Sequence, residues 1–374
     1  SRMAGLKLVH LLSLAISLTM VAENVLASPP PVIKAGYYPD WAYAYLPSDI
    51  DTTLFTHVFY AFLLPNNVTY GFDVSNSTGA LLKNFTLTLH CKKPPVKTLV
   101  SFAGASGDPQ FYGRMASQAS SRKLFINSAI QVARKYGFDG LDLDWEFPSS
   151  PKEMADLGLL FDEWRSTIMK EARSMGRVPL LLTAAVYFSP DFFLSSTYRK
   201  YPVASINKNL DWINVMCYDY HGSWDTSRTG AHAALYDPKS NISTSYGLES
   251  WVHAGVLKPK IVMGLPLYGR TWELKDANET GIGAPAVAVG PGDGVLTYSQ
   301  VEHFNERTNA TVVYDVDTVS TYSYDGLSWI GYDDIRSTNT KVQFAKAHGL
   351  RGYFFWAISY DTTSEIPGQA SKAW

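Results

Sequence analysis

Short apolar runs alternate with longer helical patterns along most of the chain. Continuous apolar or β-branched runs bounded by turn residues are typical of buried parallel strands. Helical stretches such as 151–173 carry large apolar residues at the i, i+3, i+4, i+7 spacing of one buried face. The candidate strands are 32–38, 57–63, 97–103, 140–146, 180–186, 212–218, 260–265 and 352–356. These eight β-α units predict an α/β fold, a (β/α)8 TIM barrel.

The connection between the seventh and eighth strands breaks this rhythm. Only its last part, 333–348, has the expected helical pattern. The part before it, 271–329, alternates short polar and aromatic strands with Gly and Pro turns. A structureless loop of that length is improbable. We therefore predict a small α+β insertion at 271–329, between strand 7 and helix 7, on a barrel formed by 28–270 and 330–374.

The first residues have the pattern of a targeting signal. Lys7 and His10 precede an apolar run over 11–22, and small residues suited to a signal peptidase follow. The run is too short to cross a bilayer core of about 30 Å. We predict that 1–27 is a signal peptide and that the remaining chain is secreted and extracellular.

Composition narrows the class of protein. The 374 residues are 46% hydrophobic and carry a formal charge of −2, which excludes a disordered or collagenous chain. That charge provides no electrostatic footprint, so neither nucleic acid nor a membrane is expected as a partner. The aromatic fraction of 14% suits stacking on sugar rings, although most aromatic side chains must belong to the core. Cys91 and Cys217 are interpreted as free thiols, with a disulfide as the less favoured alternative.

Asparagines in Asn-x-Ser/Thr context support the secretion hypothesis independently. They cluster between the predicted elements, which predicts glycosylated surface loops. The candidate sites are Asn67, Asn76, Asn84, Asn241, Asn278 and Asn309.

The segment 139–146 carries the most informative chemistry. Side chains alternate between the faces of a strand, so Asp142, Asp144 and Glu146 share one face at intervals of about 6.6 Å. Carboxyls this close inside a barrel repel one another and lose water, so at least one should hold a proton near neutral pH. Glu146, at the carboxyl end where barrel active sites open, is the expected general acid. Two alternatives are a solvated polar strand edge and a carboxylate metal site, for which no companion ligands are evident.

The same segment resembles the Asp-x-x-Asp-x-Asp-x-Glu signature of glycoside hydrolase family 18, and the chain as a whole resembles the plant class V chitinases. Residues 97–104 are similar to the family's strand-three Ser-x-Gly-Gly pattern, with Ala103 in place of a glycine. Residues 216–219 match Met-x-Tyr-Asp on strand six, and 352–356 match the end of strand eight. The Ala103 departure is expected to narrow space beside the cleft. Ala105 is a second departure, at a position that is often Gly in relatives, and neither residue is expected to touch the acid.

The resemblance implies a role for each matching residue. Glu146 would protonate the glycosidic oxygen, while the N-acetyl oxygen of the substrate acts as nucleophile. Asp144 would accept the acetamide N–H, Asp142 would share a proton with it, and Tyr218 would donate to the acetamide oxygen. Trp356 would floor the sugar subsite, and Met216 and Asp219 would line it.

Further residues near strand ends or in the insertion are candidates for sugar contacts. Tyr37, Phe62, Tyr268 and Arg270 are assigned to substrate binding, although core packing or a surface salt bridge explains each equally well. Tyr187, Trp272 and Trp329 are weaker candidates for outer subsites, with core packing at least as plausible.

The function that the resemblance implies is that of a secreted chitinase cleaving β-1,4 linkages between N-acetylglucosamine units. Chitin or chitooligosaccharide is the expected substrate, with no metal and no cofactor. The alternative is a lectin of the same family that binds glycans without cleaving them. Endo or exo action and the oligomeric state stay open.

Overall fold

Eight parallel strands close into a barrel in the computed structural model, which describes residues 28–374. The predicted signal peptide at 1–27 lies outside the described residues. The barrel strands are β1 (Ile33–Pro39), β2 (His57–Leu63), β3 (Lys97–Ala103), β4 (Gly140–Asp144), β5 (Leu181–Val186), β6 (Trp212–Val215), β7 (Ile261–Pro266) and β8 (Gly352–Trp356). Each pairs with its neighbours in chain order, and β8 closes the ring on β1 in the register Ile33↔Gly352. The predicted TIM barrel is confirmed.

Two barrel strands, β4 and β6, end earlier than predicted. β4 pairs with β3 up to Ala103↔Asp144 and with β5 up to Leu143↔Ala184. β6 ends at Val215, where its pairing with β5 stops. The chain then leaves the ladder to enter loops at the carboxyl end of the barrel, so Glu146 and Tyr218 follow their strands rather than belonging to them.

Helices surround the barrel and pack their apolar faces on it. The predicted stripe on the helix that begins at Pro151 is confirmed, because Leu157, Phe161 and Trp164 are all at most 3% exposed. Ser150 caps this helix by accepting a hydrogen bond from the Glu153 N–H, and Gly176 ends it in a left-handed conformation. The helices are α1 (Asn76–Cys91), α2 (Pro109–Ser117), α3 (Ala119–Tyr136), α4 (Pro151–Met175), α5 (Val203–Asn209), α6 (Thr244–His253), α7 (Tyr298–Thr308), α8 (Ile335–Ala347) and α9 (Glu365–Ala373).

The connection between β7 and β8 folds into an antiparallel sheet that carries α7. Its strands are Tyr268–Leu274, Ala286–Val289, Val295–Thr297, Thr311–Asp315, Ser320–Asp325 and Ser328–Tyr332. The sheet therefore extends beyond the predicted range 271–329 at both ends. Pairing begins at Tyr268↔Thr297, because only one residue separates β7 from the first sheet strand. At the other end, pairing continues to Thr321↔Tyr332.

A second addition is a hairpin that follows β5. Its strands are Asp191–Leu194 and Thr197–Lys200, paired in antiparallel register with Phe192 opposite Arg199. The hairpin leads into α5 and lies against the loop that follows β4, since the Arg199 guanidinium bonds the Pro148 carbonyl.

The two cysteines are free thiols in the structure, Cys91 exposed and Cys217 buried. Cys217 lies just beyond β6, and burial raises the pKa of its thiol to about 12. The free-thiol interpretation is confirmed, because one sulfur is at the surface and the other lies in the core.

The candidate glycosylation sites are all exposed, but not all lie in loops. Asn67, Asn241 and Asn278 occupy turns or bends, and Asn309 follows α7 in a left-handed conformation. The loop prediction is wrong for Asn76 and Asn84, which lie on the exposed face of α1. None of the helices formed by residues 28–374 combines the length and hydropathy that a membrane crossing requires.

Candidate active site

A cavity of about 500 Å³ opens at the carboxyl ends of the barrel strands. The structure gathers most of the predicted catalytic and substrate-binding residues around it, although they are far apart in the sequence. Nine of them line the cavity: Phe62, Asp144, Glu146, Met216, Tyr218, Asp219, Tyr268, Arg270 and Trp356. Asp142 and Tyr37 do not reach its surface.

Asp142 lies at the base of the site and is fully buried. Its carboxylate accepts hydrogen bonds from Thr183 Oγ1 at 2.7 Å, Ser101 Oγ at 2.7 Å and the Tyr37 hydroxyl at 2.9 Å. Burial raises the pKa of this carboxyl, and the three hydroxyl donors oppose that shift. The charge of Asp142 also contributes to the raised pKa of Asp144, and the proton that the two carboxyls are expected to share stays a prediction.

Asp144 projects into the cavity from the last position of β4 and is 5% exposed. Its Oδ1 has no hydrogen-bond partner among residues 28–374. Burial, followed by the charges of Glu146 and Asp142, holds the pKa of Asp144 well above its ordinary value. The site therefore presents a buried acceptor that is ready for a donor from a bound molecule.

Glu146 lies beside Asp144, two residues past the end of the strand. Burial and the nearby Asp219 carboxyl raise the pKa of Glu146 to about 7. A carboxyl with that pKa retains a proton at mildly acidic to neutral pH, which a general acid needs. The alternative of a solvated strand edge is wrong, because Asp142 and Asp144 are both buried.

Asp219 is held by a set of donors at the cavity wall. Arg270 donates to its Oδ1 through Nε at 2.9 Å and Nη2 at 2.7 Å, and the Tyr268 hydroxyl donates to the same oxygen at 2.7 Å. The Arg270 guanidinium also stacks on Trp224, 5.1 Å from the ring centroid. Arg270 thus lines the cavity, but its Nε and Nη2 both donate to Asp219. These contacts fit the salt-bridge alternative rather than a hydrogen bond to a sugar.

His232 supports this wall and was missed by sequence reasoning. Its Nδ1 accepts the Asp219 N–H at 3.3 Å, so Nε2 carries the proton and donates to the Tyr268 carbonyl at 3.1 Å. Burial lowers the pKa of His232 to about 3, which keeps the ring neutral. A lone histidine in a loop gives no sequence signal for such a role.

Trp356 forms the floor of the cavity together with two other aromatic residues. Phe62 lies with its ring 5.6 Å from that of Trp356 at an interplanar angle of 17°, and Trp41 lies 6.1 Å away. Trp41 was not predicted, although its position just after β1 is a usable signal. Tyr37 packs against Trp356 at 5.5 Å but is only 2% exposed. Its assignment to substrate binding is therefore wrong, because its hydroxyl is directed to Asp142.

The weaker candidates for outer subsites do not line the cavity. Trp272 and Trp329 are fully buried in the small core of the insertion, where their indole N–H groups donate to the carbonyls of Asp225 and Thr280. Tyr187 stacks on Phe192 of the hairpin at 4.0 Å. The core-packing alternative is correct for the two tryptophans.

The two departures from the strand-three pattern have different surroundings. Ala103 and Gly104 both adopt positive φ, at 82° and 77°. A Cβ at position 104 would lie 2.4 Å from the Phe62 ring, so that position requires glycine. Ala103 is buried and does not line the cavity, whereas Ala105 does. The Ala103 methyl thus strains the backbone and does not narrow the cleft.

Within residues 28–374, no group of three or more His, Cys, Asp or Glu side chains is placed to hold a metal ion. The three carboxyls of 142–146 also take part in none of the ion pairs of this part of the chain.

Comparison with known proteins gives a consistent picture. The model of glycosyl hydrolases family 18 matches residues 33–361. A Nod factor hydrolase of Medicago truncatula is 54% identical over 88% of this chain and 86% of its own length. A class V chitinase of the same organism is 52% identical over 88% of this chain and 87% of its own. The crystal structure of a Cycas revoluta family 18 chitinase in complex with (GlcNAc)3 has a TM-score of 0.87 at 43% identity, covering 91% of this chain and 99% of that one.

Proposed function

The chain belongs to glycosyl hydrolase family 18, and from that premise we propose that it is a chitinase that cleaves β-1,4 linkages between N-acetylglucosamine units by a substrate-assisted, retaining mechanism. The observation that carries the proposal is the pairing of two carboxyls at one cavity, of which Asp144 is buried and Glu146 is partly exposed. Glu146 has a pKa of about 7, and Asp144 presents an oxygen without a partner among the described residues.

The first step uses Glu146 and the acetamide group of the substrate. Glu146 transfers its proton to the glycosidic oxygen, so the leaving sugar departs as an alcohol. The acetamide oxygen of the sugar on Trp356 attacks the anomeric carbon and forms an oxazolinium ion, the substrate-assisted exception to the two-carboxylate scheme. Asp144 Oδ1 accepts the acetamide N–H, and the Tyr218 hydroxyl donates to the acetamide oxygen before attack.

The second step consumes water. Glu146, now ionised, takes a proton from a water molecule that attacks the anomeric carbon from the opposite face. The oxazolinium opens, the acetamide is restored and Glu146 regains its proton. Asp144 lies next to the positive charge that develops on the oxazolinium and stabilises it, and the hydroxyls around Asp142 hold that carboxyl in place behind it.

The stereochemistry of the product tests this mechanism directly. Two inversions at one carbon give net retention, so the first product from a chitin oligomer should be the β-anomer in proton NMR of the fresh reaction. Cellohexaose, which lacks the acetamide, should not be cut. An α-anomeric first product, or cleavage of cellohexaose, would remove the need for the roles given to Asp144 and Tyr218.

The lectin alternative is not favoured. The acid, its neighbour Asp144 and the tyrosine lie together at an open cavity. A lectin of this family would bind chitin oligomers without releasing product, so the same NMR experiment separates the two functions.

We also propose that the mature chain is secreted and glycosylated. The support is the predicted signal at 1–27 together with the exposure of all six candidate asparagines. Expression of the full sequence in plant cells should yield protein in the medium whose mass falls on treatment with a peptide N-glycosidase. Retention inside the cell, or an unchanged mass, would contradict the proposal.

A further inference from the structure

The general acid lies outside the hydrogen-bonded ladder of the barrel. β4 ends at Asp144, so the turn at 145–148 determines where the Glu146 carboxyl points. Two contacts with the β5 side hold this turn. Phe147 packs edge-on against the rings of Tyr187 and Phe192, with centroid distances of 5.3 and 5.9 Å. The carbonyl oxygen of Pro148 accepts a hydrogen bond from Arg199 Nη1 at 3.0 Å.

Arg199 is an unusual residue in this position. It is 5% exposed, yet no carboxylate of residues 28–374 forms an ion pair with it. Its guanidinium donates to the carbonyls of Pro148 and Leu194 and lies 5.7 Å from the centroid of the Phe192 ring. Its Nε has no hydrogen-bond partner among these residues. Burying an unpaired cation is costly, and arginine is rarely buried in this way.

The two carbonyls that Arg199 joins belong to different elements. Pro148 lies on the turn that carries the acid, and Leu194 lies in the hairpin formed by Asp191–Leu194 and Thr197–Lys200. A planar guanidinium fixes the directions of both hydrogen bonds, which a flexible ammonium group does not. The acid turn and the hairpin are thereby tied into one unit.

We propose that Arg199 is a positioning residue for the general acid, holding the Glu146 carboxyl at the glycosidic oxygen through the Pro148 carbonyl. The proposal rests on the proposed function, in which Glu146 supplies the proton. Arg199 is not among the groups that shift the pKa of Glu146, which burial and Asp219 raise, so its effect is geometric. A displacement of about 1 Å at a catalytic group is enough to lower a rate by about 100-fold.

The dependence on the leaving group tests this role. Arg199→Met should lower kcat on a chitin tetramer by about 10- to 100-fold with little change in KM, because departure of a sugar requires the proton. On a dinitrophenyl glycoside of chitobiose, whose leaving group departs without protonation, the rate of the first step, followed as the burst of dinitrophenolate, should stay within about 2-fold of the wild-type value. Glu146→Gln should show the same contrast more strongly, and adding Arg199→Met to it should lower the tetramer rate no further.

Two further variants separate positioning from a merely structural role. Arg199→Lys keeps the charge, but one ammonium group cannot reproduce the two fixed hydrogen bonds of the guanidinium, so activity on the tetramer should be intermediate. The Lys variant also replaces the Met variant in this test if the Met variant does not fold. Arg165→Met is the control at the other end of the barrel, where Arg165 likewise donates to two carbonyls, those of Asn209 and Leu180, and also pairs with Asp211. It should lower the thermal midpoint and affect both substrates equally.

Two outcomes would overturn the positioning role. One is an equal loss on both substrates in Arg199→Met, and the other is wild-type activity on the tetramer. If Glu146→Gln itself showed no dependence on the leaving group, the acid assigned in the proposed function would be wrong, and the role of Arg199 would fall with it.

Discussion

The two ends of β4 carry carboxyls in opposite surroundings. Asp139, just before the strand, accepts hydrogen bonds from His90 Nε2 at 2.9 Å and from the Thr98 N–H at 2.8 Å, and Lys97 Nζ lies 3.6 Å away. Its side chain is one quarter exposed. A backbone N–H and two basic side chains therefore contact this carboxylate, which also reaches water.

At the carboxyl end, the same strand provides no positive charge. Asp142 and Asp144 are buried, Glu146 follows them, and none of the three takes part in an ion pair within residues 28–374. Asp142 receives three hydroxyl donors, whereas Asp144 Oδ1 receives none. The contacts at the amino end of β4 therefore stabilise the fold. The neighbouring carboxyls at its carboxyl end destabilise the fold, and the proposed chemistry uses them.

The largest expected effect comes from removing the acid at the carboxyl end. Glu146→Gln keeps the shape of the side chain but loses the transferable proton, so kcat on chitin oligomers should fall by about 10²- to 10⁴-fold. Oligomer binding, measured by calorimetry, should be nearly unchanged. The control is Asp139→Asn at the amino end, which should retain wild-type kcat at 25 °C. Near wild-type turnover in Glu146→Gln would show that another group donates the proton.

A smaller loss is expected from the two groups that would contact the acetamide. Asp144→Asn and Tyr218→Phe should each lower kcat by about 10²- to 10³-fold, because the charge and the orientation that they stabilise develop in the transition state. KM should change much less, as steady-state kinetics on a chitin tetramer would reveal. An effect confined to KM would contradict substrate assistance, since it would place both contacts in the ground state alone.

The stability of the two ends should respond to amide substitution with opposite sign. The pKa of Glu146 is about 7 in the folded protein and about 4.3 in the unfolded chain. Between these values the folded state binds more protons, so the wild-type free energy of unfolding falls as pH rises through this window. Gln does not ionise, so Glu146→Gln should be more stable than wild type at pH 8, by on the order of 1–3 kcal/mol, and should lose that advantage at pH 4.

Urea unfolding of the matched pair at both pH values measures this contrast. Asp139→Asn should be less stable than wild type at pH 8, by about 1–3 kcal/mol, because it loses the charged acceptor for His90 and Thr98. If both amide variants changed stability in the same direction at pH 8, the distinction between the two ends would be wrong.

The smallest expected effect concerns the backbone beside Asp144. Ala103 pairs with Asp144 across the ladder and has a φ of 82°, which glycine adopts without strain. Ala103→Gly should raise the free energy of unfolding by about 0.5–1 kcal/mol. The substitution relieves the backbone strain of the folded state, and the greater freedom of the unfolded chain offsets part of this stabilisation. The control, Ala35→Gly in β1, should lower it, as thermal or urea unfolding would show. A loss of stability in Ala103→Gly would contradict the strain argument.

Much of the fold could be predicted because most barrel strands are short apolar or β-branched runs. β2, β3 and β8 have their predicted bounds, and the stripe on α4 is buried as expected. The strand ends at Asp144 and Val215 could not be predicted, since the residues beyond them are as apolar as the strands themselves. Pairing stops there because the chain turns into loops, which depends on neighbouring strands rather than on local composition.

The candidate site divides in the same way. Alternation along 139–146 correctly predicted that Asp142 and Asp144 point into the barrel, and the residues that follow β6 and end β8 lie at the same cavity. Trp272 and Trp329 could not be separated from sugar-binding residues by sequence, because an aromatic side chain in a small core has the same local pattern as one in a cleft.

By itself, the sequence determined the barrel, the insertion and the identity of the carboxyls, because these depend on periodicities of two and about 3.6 residues that any segment displays locally. Only the tertiary structure decided which groups surround those carboxyls. His232 reaches Asp219 and Arg199 reaches the acid turn across long stretches of chain, and no local pattern encodes such contacts. The raised pKa of Glu146 belongs to the same category, because burial and the field of distant charges exist only after the strands have closed into a barrel.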